Sequence, residues 1–233
     1  MEKEQKKLSG KRLSGADVYA RIRDMAIDYE LVPGQTIKEA TVAEQLEVSR
    51  TPVREALNRL VTEGLITFQK NRGFFCRSIT ADELFDQAEV RLGLELMAID
   101  LVIDRASDKK IKDIADYWTR AESREAKSSS LTMAHHDERF HEMIVEAAAN
   151  PILLEIVRNI NARIRFVRRL EVEKAVRSGA DFKHHNNIMR ALSQRDKKAA
   201  RQALETHLTF TRADSIEVLK LGLEKILNTK LSQ

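Results

Sequence analysis

The 233-residue chain is 42% apolar, enough for a packed core, and its single cysteine, Cys76, excludes a disulfide framework within the chain. Lysine and arginine number 40 against 36 aspartate and glutamate, a net charge of +4. No run of about 18 apolar residues occurs, so no membrane span is expected, and the charged stretch Met1–Lys11 does not read as a signal peptide. A reducing cytoplasm is the expected setting.

The charge is concentrated. Between positions 50 and 77, Arg50, Arg54, Arg59, Lys70, Arg72 and Arg77 face only Glu55 and Glu63, so this segment alone carries as much excess as the whole protein. Binding to a phosphate backbone calls for such a cluster, although a solvated basic face gives the same count.

Residues 1–10 read as a flexible tail. From Asp17 to Tyr29, Val18, Ile22, Met25, Ala26 and Tyr29 recur at helical spacing, and Pro33-Gly34 marks a turn. Thr41 is expected to cap a short helix over 42–46. Ser49 is expected to cap the next, with Pro52 in its first turn and Val53, Ala56, Leu57, Leu60 and Val61 on one face. After Gly64, the segment 65–68 reads as a strand, 70–73 as its turn and 74–76 as the returning strand. Three helices and a hairpin make 11–78 a winged helix-turn-helix with a small β-hairpin wing. Beyond Ile79, amphipathic helices are expected over 81–105, 109–127, 131–148, 151–175, 178–194 and 196–225, with breaks near Ser107, Ser128–Ser130, Asn150-Pro151, Gly179 and Arg195-Asp196. The fold class is therefore mainly α: the winged domain, then an all-α bundle over 79–233.

A helix that enters the major groove reads base edges from its first turn. Arg50 and Arg54 share one face there, and arginine pairs bidentately with guanine. Ser49 and Thr51 supply hydroxyls for phosphates, while Lys70 and Arg72 flank the hairpin tip. The plainer alternative is that Arg54 pairs with nearby acids and Ser49 is only a cap.

The run Leu46-Glu-Val-Ser-Arg-Thr-Pro-Val-Arg-Glu-Ala-Leu57, with Glu63-Gly-Leu-Ile66 and Gly73-Phe74, resembles the recognition segment of GntR-type transcription regulators of the FadR-like subgroup. The resemblance implies that Ser49, Arg50, Thr51 and Arg54 contact operator DNA and that Gly73 approaches the minor groove. Some relatives carry a DNA-contacting arginine on the preceding helix where this chain has Ala40, so that contact is expected to be missing.

All six histidines, His135, His136, His141, His184, His185 and His207, lie beyond position 130. Asp137 and His141, four apart, project from one helix face and can grip one ion. His185 and His207 sit beside apolar positions, though spacing does not separate His185 from His184. The residues alone leave a metal site and ordinary core histidines equally open.

Asp137-Glu-Arg-Phe-His141, Ala149-Asn150-Pro151, His185-Asn-Asn-Ile-Met-Arg-Ala-Leu192 and His207-Leu208 resemble the helical effector domain called FCD. That resemblance implies a divalent transition metal (zinc first, nickel or manganese as alternatives) held by Asp137, His141, His185 and His207. It also implies a small organic acid as effector beside the metal, with Arg91 as a recurrent arginine. Arg91 equally reads as an i,i+4 partner of Glu95. Asn150 is either an effector contact or, the favoured reading, the cap of the helix that starts at Pro151. The string Arg163, Arg165, Arg168 and Arg169 is expected to be solvated surface, with lining the pocket or touching DNA as the lesser alternative.

The expected protein is a homodimeric repressor or activator of transcription that binds near-palindromic double-stranded operator DNA, not an enzyme and not membrane-bound. The rivals are a metal-dependent hydrolase and a regulator that senses the metal ion itself.

Overall fold

The computed structural model describes residues 13–28, 30–125, 130–177 and 183–231. The expected tail over 1–10, Tyr29, the serines at 128 and 129 and the break at Gly179 lie outside the described residues. The chain divides into two compact units, Met1–Ser78 and Ile79–Gln233.

In the first unit, helix α1 (Gly15–Ile27) starts at a capping box: the Ser14 Oγ accepts from the Asp17 amide while the Asp17 carboxylate accepts from the Ser14 amide. Its apolar face buries Val18, Ile22, Met25, Ala26 and Ile27. Helix α2 (Glu39–Gln45) begins earlier than expected: Lys38 occupies the cap position and Thr41 lies inside the first turn, so Thr41 is not a cap. Helix α3 (Arg50–Thr62) buries Val53, Ala56, Leu57 and Leu60. The turn between α2 and α3 places Glu47 at φ 54°, a left-handed conformation that closes the helix-turn-helix without glycine.

The wing is a sheet of three strands, one more than the expected hairpin. Strands β2 (Ile66–Gln69) and β3 (Gly73–Cys76) pair antiparallel, and β3 also pairs with the two-residue β1 (Thr36–Ile37). Two residues are too few to register as a periodic pattern, so β1 carried no sequence signal. The β2–β3 turn uses Asn71 at φ 63° and Gly73 at φ 88°.

Among its described residues, the second unit consists of helices and their short connections, with no strand. Helix α4 (Ala81–Arg105) starts at Thr80, whose hydroxyl accepts from the Glu83 amide, and ends at Ala106 in extended backbone. It is followed by α5 (Asp108–Glu125), α6 (Ser130–Ala147), α7 (Pro151–Arg177), α8 (Lys183–Ser193), α9 (Lys197–Leu208) and α10 (Arg212–Leu231). The single helix expected over 196–225 is thus two. Thr209 leaves the helix, and Thr211 and Asp214 form a new start in which each accepts from the other's backbone amide.

The core packs Ile99, Val102, Trp118, Phe140, Ile144, Val157, Ile188, Leu192 and Leu204 from α4 to α9. Among the described residues, no helix is long and apolar enough to cross a membrane.

Candidate functional site: a histidine–aspartate cluster and a basic helix face

Four side chains from three helices converge within the bundle. Helix α6 supplies Asp137 and His141, α8 supplies His185 and α9 supplies His207, and one ligand-type atom from each lies within 4.8 Å of the others. The Nε2 of His185 is 3.0 Å from the Asp137 Oδ1, and the His141 Nε2 is 3.8 Å from the same oxygen. The Nε2 atoms of His141 and His207 are 3.0 Å apart.

Packing fixes these rings. The core wall of α5 and α6 meets His185: Trp118 stacks on it at 3.9 Å between centroids and Phe140 meets it edge-on at 4.7 Å. His185 is 2% exposed, whereas its neighbour His184 is exposed. Burial therefore separates the two histidines that spacing could not.

A surrounding ring of charges sets the protonation states. The Nδ1 of His141 is 2.6 Å from the Glu95 Oε2 on α4, and the Glu95 Oε1 is 2.6 Å from the Arg91 Nε. Burial alone would raise Glu95, but Arg91 and His141 outweigh it and hold its carboxyl at about 2. An ionised carboxylate takes the Nδ1–H of His141, which leaves the His141 Nε2 as an acceptor aimed at the cluster's centre. Burial pushes His141 below its ordinary pKa and His207 well below it, so both rings are neutral. Asp137 is held well below the carboxylate range: burial opposes ionisation, and the Arg168 charge and the hydrogen bond from His185 overcome it.

The arrangement fits a cation on physical grounds. With the His141 Nε2 an acceptor, the facing His207 Nε2 either donates a proton or shares a positive ion. Three imidazoles and one ionised carboxylate are the donor set of a divalent transition metal. Donors bound at about 2.0–2.1 Å around one ion stand roughly 3–4 Å apart, close to the separations here. The carboxylate behind His141 is the outer partner that metal-ligating histidines characteristically keep.

The cluster opens into a cavity of about 280 Å³. Its lining combines Arg91, Asp137, Arg168, His185 and His207 with the apolar Leu84, Ile164, Val167 and Phe210. Arg91 forms the expected i,i+4 pair and also lines the cavity. It pairs with Glu95, yet the pair is buried rather than exposed, and among the described residues its buried Nη2 has no hydrogen-bond partner.

Arg168 corrects the expectation of a solvated basic string. It is 13% exposed at the side chain, bonds Asp137 and lines the cavity, while Arg165 pairs with Glu138 at 2.6 Å. Asn150 does not join the cavity lining; its Oδ1 accepts from the Leu153 amide at the start of α7. Sequence reasoning missed Glu95 as a partner of His141 and missed Phe210, which the break after α9 carries to the cavity, and it held the pocket only as the lesser reading of Arg168.

In the first unit, Ser49, Arg50, Thr51 and Arg54 are exposed around the start of α3, and Lys70 and Arg72 are exposed at the wing. Ser49 occupies the cap position but makes no capping bond, so its hydroxyl is not committed to the helix. Arg54 stands 3.9 Å from Glu39 with 66% of its side chain exposed, a loose contact that does not hold it. Arg72 donates to the Gln69 Oε1 at 2.8 Å.

The FCD domain profile matches residues 86–210, and the bacterial regulatory protein gntR family profile matches residues 15–76. The chain belongs to the GntR family of transcription regulators. It is a DNA-binding regulator with a GntR helix-turn-helix followed by an FCD domain, in a family of regulators rather than enzymes.

This regulator is 36% identical over 202 residues to the Nta operon transcriptional regulator of Aminobacter aminovorans, covering 87% of this chain and 94% of that one. It is 27% identical over 207 residues to the HTH-type transcriptional regulator YdhC of Bacillus subtilis, covering 88% and 92%. Its fold is shared with a putative GntR transcriptional regulator from Rhodococcus sp. RHA1 at a TM-score of 0.68 and 23% identity, covering 88% and 97%.

Proposed function

We propose that this GntR-family regulator binds a near-palindromic operator as a homodimer in the cytoplasm, and that a small organic acid bound beside a metal, zinc by donor set, changes its operator affinity. The observation that carries the reading is the convergence of Asp137, His141, His185 and His207 on one point at the wall of a cavity that also holds an unpartnered Arg91 Nη2. The metal supplies a positive centre with room for an anionic oxygen. Arg91 offers a buried donor to the same anion, and the Arg168–Asp137 pair keeps a metal-ligating carboxylate ionised. Glu95 holds His141 in its ligating tautomer.

On the DNA side, the start of α3 faces the major groove. Arg50 and Arg54 read base edges, Ser49 and Thr51 contact phosphates, and Lys70, Arg72 and Gly73 place the wing on the backbone or in the minor groove.

Elemental analysis after gentle dialysis tests the centre. About one divalent transition metal per chain is expected in wild type and in His184→Ala, and a deficit in His185→Ala. A full complement in His185→Ala would refute the ligand set. The rival in which the ion itself is the signal predicts that metal alone, at fixed acid concentration, switches operator binding.

A further inference from the structure

Glu171 is the one acid of the cavity wall that the metal-and-carboxylate reading leaves unused. Asp137 is engaged by Arg168 and His185, while the nearby Glu95 is engaged by Arg91 and His141. Glu171 lines the same cavity, yet among the described residues it makes no hydrogen bond and no ion pair. Burial pushes its carboxyl up to about 7 against the pull of Arg168 and Arg91. Its side chain is half-buried on the cavity wall, so its carboxyl is open to a complementary group that enters the cavity. It stands three residues beyond Arg168 on α7, so it faces the cavity about one helical turn (~5 Å) from the anion-binding end.

Resting on the effector reading above, we infer that the effector is an amino acid or a similar amine-bearing acid. Its carboxylate meets the metal and Arg91, its ammonium group is received by the Glu171 carboxylate, and its carbon chain lies against Leu84, Ile164 and Phe210. Glu171 is then the residue that distinguishes such a ligand from a plain carboxylic acid of the same length. A cationic centre and a surplus acid about one helical turn (~5 Å) away match a ligand that carries both charges.

The test is calorimetric titration of the zinc-loaded full chain with acids that differ only by an amine: butyrate against 2-aminobutyrate and 4-aminobutyrate, and hexanoate against norleucine and 6-aminohexanoate. At least one amino form should bind about 10- to 100-fold more tightly than its parent, the range set by a charge-assisted hydrogen bond. In Glu171→Gln that ratio should fall close to one, and Glu171→Asp, which keeps the charge, should retain part of it. Parent acids that bind wild type as tightly as their amino forms would overturn the inference, as would a preference that survives in Glu171→Gln. No binding of any of these acids to wild type would overturn the effector reading itself.

Discussion

Arg91 and Glu95 stand four apart on α4, and on an exposed helix such a pair would contribute only about 0.2–0.5 kcal/mol. Buried, at 6% and 1% exposure, the same pair becomes the outer support of His141. Glu95→Gln keeps the shape but removes the charge that fixes the ring's tautomer. It is expected to weaken metal binding about 10- to 100-fold, read by competition with a chromophoric chelator. Unchanged affinity would show that His141 needs no such support. The pH dependence has a definite sign. Burial holds His141 and His207 below the ordinary histidine value of 6.5, so protons compete for their lone pairs only at lower pH. Metal affinity should therefore be level above pH 6.5 and fall on acidification below it; a decline that begins in alkaline solution would contradict this protonation scheme. The sequence made the Asp137–His141 pair legible because both lie on one helix at a fixed spacing. Glu95 was not legible as a member of the site, and Arg168 only as a lesser alternative, because their roles depend on how α4 and α7 pack against α6.

At the scale of elements, the helices of the second unit were readable from periodicity to within a few residues, α4 at both ends. The failure came at 209–211, where the apolar spacing continues through a break. The signal that marks the break is Thr211 three residues before Asp214, a reciprocal cap. Thr211→Ala should cost about 0.5–2 kcal/mol in urea unfolding, and a change below that range would mean the cap does not define the start of α10. In the first unit, α3 was legible through its buried stripe and its arginines, while β1 was too short to read. Leu57 is fully buried on α3, and Leu57→Ala should cost about 2–5 kcal/mol. On the proposed reading, the exposed side of the same helix carries specificity: Arg50→Ala should lose about 1–3 kcal/mol of operator affinity and relax base choice. Lys70→Ala should weaken all sequences alike and lower the salt slope by about 1. Equal losses on operator and random duplex for Arg50→Ala would remove α3 as the reading helix.

For the whole molecule, the account requires that two ligands, DNA at one unit and an acid at the other, favour different states of the chain. An effector shifts operator binding only by its differential affinity for those states, typically about 1–3 kcal/mol or 5- to 150-fold. His207 offers the cleanest cut, because its helix α9 belongs to the second unit while the DNA-facing residues lie in the first. The decisive measurement is a titration of labelled operator with wild-type protein and His207→Ala, each with and without a saturating small organic acid. The account predicts a shift of roughly 5- to 150-fold in wild type, and no shift in His207→Ala beside nearly unchanged acid-free binding. A shift that persists in His207→Ala would place the effector away from the metal centre and contradict the account.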